Sequence, residues 1–139
     1  MAQLFHVEII SATRKIFDGD VVSLTVPGEQ GLFGVLAGHA PLMSSLAIGE
    51  ITCEDENERT CSLAVSGGFI EVKYDGVLIL ADSAELAEQI DLERAKNAKL
   101  RAENLLQKAQ LDSETVDFER AKASLMRAIN RINIVEKAL

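Results

Sequence analysis

VSGGFIEVKYDGVLILADSAELAEQIDLERAKNAKL, residues 65–100, contains the point at which this chain changes its folding code. In the first half Ile70, Val72 and Tyr74 alternate with Phe69, Glu71 and Lys73, the period of two that marks a half-buried strand. Val77 to Ala81 is an unbroken apolar run of the kind carried by a strand buried on both faces. In the second half Ala95 and Ala98 begin a three-and-four spacing that continues through Ala102, Leu105 and Ala109, one face of a helix. All nine glycines and both prolines of the chain lie at or before Gly76, so the punctuation of tight turns stops where the helical period starts.

Upstream of this stretch, Phe5, Val7 and Ile9 alternate with His6 and Glu8, and Val22, Leu24 and Val26 alternate with Ser23 and Thr25. Thr60 to Ser66 reads as a further strand. The acidic segment Glu54 to Glu58 reads as a solvated hairpin loop that sets Cys53 and Cys61 near each other across the pair. Short strands separated by turn signals predict a small sandwich or barrel. Downstream, Phe118, Ala121, Leu125, Ala128, Ile132 and Val135 mark a second helix. Asp91 is placed to cap the first helix, and Gln110 to Thr115 supplies the turn, with Ser113 or Thr115 as the second cap. The expected architecture is α+β: an antiparallel β-sandwich over residues 1–83 and an antiparallel two-helix hairpin over 84–139. A seam made largely of alanine lets the helices approach closely but gains little from docking, because a buried methyl contributes far less than a buried Leu or Phe. Such a hairpin can be dislodged.

Charge divides at the same place. Residues up to Asp82 carry 4 basic and 12 acidic side chains, and those after it carry 10 of each, so the net charge of -8 belongs to the first part. That surface repels phosphate backbones and anionic head groups, which argues against nucleic acid and against a polybasic membrane anchor. With no Trp and 4% aromatic residues, a stacking platform for bases or sugars cannot be built. The opening MAQLFHVEII lacks the pattern of a secretory signal, and no stretch approaches the roughly 20 apolar residues that span a bilayer. No direct membrane insertion is expected, and the two cysteines, at a spacing that matches no zinc or redox motif, are expected to be reduced.

The densest glycine cluster is PGEQGLFGVLAGHAPL, residues 27–42. It lacks the Lys-Ser/Thr ending of a P-loop and the spacing of a dinucleotide fingerprint, so the glycines read as turn formers rather than a phosphate cradle. Its content of Leu32, Phe33, Val35, Leu36 and Leu42, with Met43 directly after it, makes it an unusually apolar loop, and exposed apolar loops are commonly docking surfaces. Neither His6 nor His39 has a carboxylate or cysteine at metal-ligand spacing in the sequence, so no metal and no catalytic residue are assigned. A hydrolase built on His39 lacks a nucleophile, base and orienter set and ranks last, behind a generic adaptor whose sandwich binds another partner. Arg94 and Arg101 are a heptad apart on the first helix. On the second, Arg120, Arg127 and Arg131 form a stripe that, by spacing alone, is a solvated face.

GHAPL at Gly38 to Leu42, SGGFIEV at Ser66 to Val72 and the start Ile90-Asp91-x-x-Arg94-Ala95, in this order over essentially the whole chain, resemble the epsilon subunit of F-type ATP synthases. One departure is Ala37, where that family usually has Pro. The resemblance implies a non-catalytic rotor subunit on the cytoplasmic face of the cell membrane. There the sandwich docks on the gamma subunit and the ring of c subunits, through Leu32, Phe33, Val35, Leu36, His39, Leu42 and Met43. It implies a movable hairpin that permits ATP hydrolysis when folded and blocks it when extended among the alpha and beta catalytic subunits. No cofactor is implied as required. In some bacterial members the folded hairpin binds ATP as a regulatory ligand, and the matching positions here are Glu85, Ile90, Asp91, Arg94, Ala95, Arg101, Arg127 and Arg131. The guanidinium groups would pair with phosphate oxygens, while Ile90 and Ala95 leave a slot for adenine.

Overall fold

The computed structural model describes residues 3–111 and 117–138. Eight strands precede two helices: β1 Phe5–Ser11, β2 Lys15–Val21, β3 Ser23–Gly28, β4 Gly31–Val35, β5 Leu42–Glu54, β6 Thr60–Lys73, β7 Gly76–Ala81, β8 Ala84–Leu86, α1 Leu92–Leu111 and α2 Phe118–Ala138, with a single 3₁₀ turn at Ala87–Gln89. The strands lie in the order β2-β1-β7-β6-β5-β3-β4, and β8 pairs with β6. Among the described residues every pairing is antiparallel except that of β1 with β7. One apolar cluster takes Val7 and Ile9 from β1, Ile79 from β7, Leu24 and Val26 from β3 and Val35 from β4. Strands from both ends of the order therefore face each other, as they do in a sandwich.

The long β5–β6 hairpin holds the two halves together. β6 pairs first with β8 through Leu63, Ala64 and Val65, then with β7 from Gly68 onward. Between these segments Gly67 and Gly68 adopt φ of +93° and +124°, a region that L side chains rarely enter. A Cβ at Gly68 would lie 2.2 Å from the carbonyl oxygen of Leu80, so the adjoining strand closes over a residue without a side chain. The amide of Asp82 donates to the Gly67 carbonyl at 3.1 Å and the amide of Ser66 to the Ser83 carbonyl at 3.0 Å, while the Ser66 and Ser83 hydroxyls also meet. The SGGF motif is thus the corner of the sandwich.

Several expectations change in detail. Tyr74 continues the alternation of Ile70 and Val72 in the sequence, but it falls in the β6–β7 turn and is exposed. The run Val77 to Ala81 buries Val77, Ile79 and Ala81, while Leu80 points outward, so β7 is buried on one face rather than two. Thr60 to Ser66 and the strand after it are one element, and β2, β4, β5 and β8 add to the strands read from periodicity. Sheet pairing continues through Ala84–Leu86, and the chain divides into compact units at Met1–Ala87 and Glu88–Leu139.

Within the second unit α1 buries Ala95, Ala102 and Ala109, and α2 buries Ala121, Ala128 and Ile134. The alanines recur every seventh residue, a 3.5-residue period that keeps one narrow seam facing its partner. Leu105 and Phe118, expected in the seam, are exposed. Each helix is capped by an aspartate: the Asp91 carboxylate accepts from the Arg94 amide, and that of Asp117 from the Arg120 amide, both at 3.1 Å. The second cap is therefore Asp117. Ser113 and Thr115 lie outside the described residues.

Candidate functional site

In the sheet unit the apolar side chains left in solvent are not scattered. Register sets Phe69 of β6 opposite Leu80 of β7, and Leu80 beside Ile10 of β1. Phe69 and Leu80 are each about half exposed, at 56% and 51%. Across β5, Ser45 lies opposite Phe69 and Met43 opposite Glu71, so Met43, 68% exposed, borders the same outer face. Alternation makes this face inevitable: Ile70, Val72, Ile79 and Val77 point into the core, so their odd-even neighbours point out. Phe69 and Leu80 were not singled out in the sequence. The signal was there in two large apolar residues standing on the solvent phase of strands whose other phase supplies the core.

The residues assigned to docking separate into exposed and buried. Leu32, Leu36, Leu42 and Met43 are exposed, Phe33 and His39 are half-buried, and Val35 is 1% exposed within the core opposite Leu24 of β3. Val35 thus serves the sandwich interior, because the segment expected to be a loop contains β4 and alternates like any strand. The Phe33 ring sits against Gly28, where a Cβ would be 2.9 Å from it. The following turn, Leu36 to His39, closes with the His39 amide donating to the Leu36 carbonyl at 3.1 Å and with Gly38 at φ +81°. That is the arrangement of a type II turn, whose second position favours proline, so Ala37 occupies the site where a proline ring would pre-set the backbone. The His39 ring shares a hydrogen bond through Nδ1 with the Ala40 carbonyl at 2.7 Å.

His6 has a setting that its sequence neighbours do not reveal. Pairing of β1 with β2 brings Asp20 opposite His6 and Asp18 opposite Glu8. Nε2 of His6 lies 2.6 Å from Asp18 and Nδ1 lies 2.9 Å from Asp20, while Lys15 bridges Glu8 at 3.1 Å and Asp18 at 2.9 Å. The hydrogen bond that His6 donates to Asp20, and then the charge of Asp18, hold His6 above its ordinary pKa, against some desolvation. Lys15 first, and His6 less, hold Asp18 below its ordinary value. His6, Glu8 and Asp18 offer donor atoms close enough to share a cation, so the fold brings carboxylates to His6 that do not stand at metal-ligand spacing in the sequence. Lys15 and His6 pair with these carboxylates, and the arrangement is an ion-pair network on the outermost ribbon of the sheet.

The residues assigned to nucleotide binding fall in both units. Glu85, on β8 opposite Ala64, belongs to the first. Ile90, Asp91, Arg94 and Ala95 lie in the second, at the head of α1, with Arg101 two turns further on. Ile90 is half-buried and Ala95 is 2% exposed in the helix seam, so Ala95 is a packing residue of the hairpin. Asp91 has its carboxylate engaged as the cap. Arg94 and Arg101 are exposed; Arg127 and Arg131, one turn apart on α2, are half-buried. Arg127 Nη2 donates to Ser124 Oγ at 2.9 Å. Among the described residues no helix is long and apolar enough to cross a membrane.

Residues 4–87 match the family model described as ATP synthase, Delta/Epsilon chain, beta-sandwich domain, and residues 88–136 match its long alpha-helix domain. Curated relatives named ATP synthase epsilon chain include that of Trichlorobacter lovleyi, 43% identical over 108 residues that cover 78% of each chain. That of Dehalococcoides mccartyi is 48% identical over 103 residues, 74% of this chain and 72% of the relative. Among solved structures, a chain of the Euglena gracilis mitochondrial ATP synthase, in an assembly of OSCP, F1 and c-ring, superposes with a TM-score of 0.79 at 27% identity, covering 99% of this chain and 82% of that one. A chain of the Tetrahymena thermophila mitochondrial ATP synthase central stalk and c-ring shares the fold, with a TM-score of 0.55 at 14% identity.

Proposed function

The chain belongs to the ATP synthase delta/epsilon family, as a bacterial-type epsilon subunit, and on that premise we propose that it is a rotor component of the central stalk that couples without catalysing. The sheet unit docks on the gamma subunit and the c-ring, and the helical unit is a brake on ATP hydrolysis. The observation that carries the reading is the contrast in exposed side chains. An apolar face of Met43, Phe69 and Leu80, with Leu32 and Leu36 nearer the β4 edge, is what a permanent docking surface requires. A hairpin seamed by alanine is what an element that must detach requires.

Phe69→Asp leaves the core intact, since its side chain faces solvent, and it is expected to abolish co-sedimentation with the gamma subunit and c-ring. Retained binding would move the docking surface elsewhere. Deleting residues 88–139 is expected to raise ATP hydrolysis by the assembled enzyme while leaving docking unchanged, and an unchanged rate would remove the brake.

The same proposal gives the hairpin arginines two anionic partners. In the folded hairpin Arg127 and Arg131, with Arg94 and Arg101, take ATP phosphates; in the extended one they take acidic surface of the catalytic subunits. ATP shifts this equilibrium only as far as it prefers the folded state. Calorimetric titration of the intact subunit with ATP is expected to show binding that weakens when Arg127 and Arg131 become Ala. Binding unaffected by that change would take both residues out of the site.

A further inference from the structure

Cys53 and Cys61 face each other directly in the antiparallel register of β5 and β6, and neither is in a disulfide. Residues opposite each other in such a ladder have Cα atoms about 4.5–5.5 Å apart and present their side chains to the same face. A disulfide spans Cα separations of about 4.4–6.8 Å, a range that includes the separation of directly opposed residues in such a ladder. Their surroundings differ. Cys53 is 2% exposed, set between Leu24 of β3 and Cys61, and belongs to the core; Cys61 packs on the core's edge and is partly open to solvent. Burial first, and the neighbouring Cys61 second, push the Cys53 thiol up to about 12.

We propose that Cys53 and Cys61 form a reversible modification site, a cross-strand thiol pair that is oxidised to a disulfide by a small-molecule disulfide. Cys61 is the entry thiol, since a reagent reaches it from solvent. Its thiolate attacks one sulfur of the reagent, a protein–reagent S–S bond forms, and the reagent's own S–S bond breaks to release one thiolate. Cys53 then gives its proton to solvent and attacks the Cys61 sulfur. The mixed disulfide breaks, the second reagent thiolate leaves, and the Cys53–Cys61 bond is complete. The two protein thiols lose two electrons and two protons, and the reagent is reduced to two thiols. The resulting bridge ties together the strand ends that flank the Glu54–Thr60 turn. The buried partner makes the second step the slow one, so the mixed disulfide on Cys61 accumulates before the bridge closes.

The intact subunit incubated with glutathione disulfide at mildly alkaline pH provides the test, read by intact mass and by tryptic mapping. Cys53 lies in the tryptic peptide 16–59 and Cys61 in 60–73, so the bridge joins two peptides that are otherwise separate. Expected are a transient species with one glutathionyl group on Cys61, a final monomer short of two hydrogens with those peptides linked, and recovery of the starting mass with dithiothreitol. Cys53→Ser should stop at the glutathionyl adduct, and Cys61→Ser should remain unmodified. A wild-type protein that stays glutathionylated, forms only linked dimers or does not react would overturn the proposal, as would a Cys61→Ser variant that takes up glutathione at the wild-type rate. Should Cys53→Ser fail to fold, the wild-type time course with its linked peptides decides alone.

Discussion

In the sheet unit the fully buried side chains include Ile9, Leu24, Ile51, Leu63, Ile70 and Ile79; in the hairpin, five of the six buried residues described are alanine. Each large aliphatic contributes about 1.5–3 kcal/mol on burial, and a methyl less than one. The two units therefore hold themselves together by different means. The sheet relies on a packed interior and tolerates local irregularity, whereas the hairpin relies on helix propensity, caps and a close but shallow seam. Under the proposed function, a body that transmits torque and an arm that lets go would differ in this way.

The comparison is easiest to break at its largest expected effect. Ile79→Ala removes a fully buried side chain at the centre of the sheet and should cost about 2–5 kcal/mol in chemical denaturation followed by circular dichroism. Ala128→Gly, in the middle of the seam, should cost only about 1 kcal/mol, chiefly through helix propensity. Equal losses would mean that the seam is a core in its own right and that the hairpin is no easier to dislodge than a strand.

How much of this contrast the sequence carried depends on which physical rule governed each residue. Alternation located Val7, Ile9, Leu24, Val26, Ile70 and Val72 because each strand has one face buried, and all six lie in the core. It failed at Tyr74, where the phase was right but the strand had ended, and at Leu80, whose neighbours' apolarity hid the solvent side of β7. Only the end of β5 at Cys53 is legible, through the hairpin loop that follows it; Ser44, Ser45, Ala47 and Gly49 blur its alternation, and long-range pairing with β3 and β6, not local pattern, makes it a strand. In the hairpin a three-and-four spacing fitted Leu105 and Phe118 as well as the alanines. The seam selects alanine every seventh position because close approach leaves no room beside it for the larger side chains. The exposed apolar face and the His6 cluster share one cause of invisibility: both are made by cross-strand register, which brings together residues far apart in the chain.

A smaller effect sharpens the contrast from the helical side. Asp91→Ala removes the oxygen that satisfies the Arg94 amide and should cost the hairpin about 1 kcal/mol. Amide exchange should quicken through the first turns of α1 and stay unchanged in β5–β7, and faster exchange in those strands would show that the two units are not energetically separate. On the sheet side, Ala37→Pro should stabilise by about 0.4–1 kcal/mol, since the second position of the Leu36–His39 turn already has the backbone that proline imposes. A lower denaturation midpoint for this variant would mean that the turn is not type II.

The smallest expected effect belongs to His6, and it is set by pH. The hydrogen bond to Asp20 and the charge of Asp18 raise the His6 pKa in the folded protein above its ordinary 6.5, so the folded state holds the proton more tightly than the unfolded chain does. Its contribution is fully present below 6.5 and is lost as pH rises through the folded value. Asp18 has the opposite sign: Lys15 and His6 lower its pKa below 3.8, so its contribution is present above 3.8 and lost as pH falls through the folded value. Between these limits both operate, and the β1–β2 ribbon has its full ion-pair network. His6→Gln should therefore lower the denaturation midpoint most below pH 6.5, and by less as pH rises through the folded value. Because every member of the network is in solvent, the difference should be small and should shrink further in high salt. A midpoint difference that does not shrink as pH rises would show that His6 acts by packing rather than by charge, and that the edge of the sheet, like its centre, is held by side-chain contact.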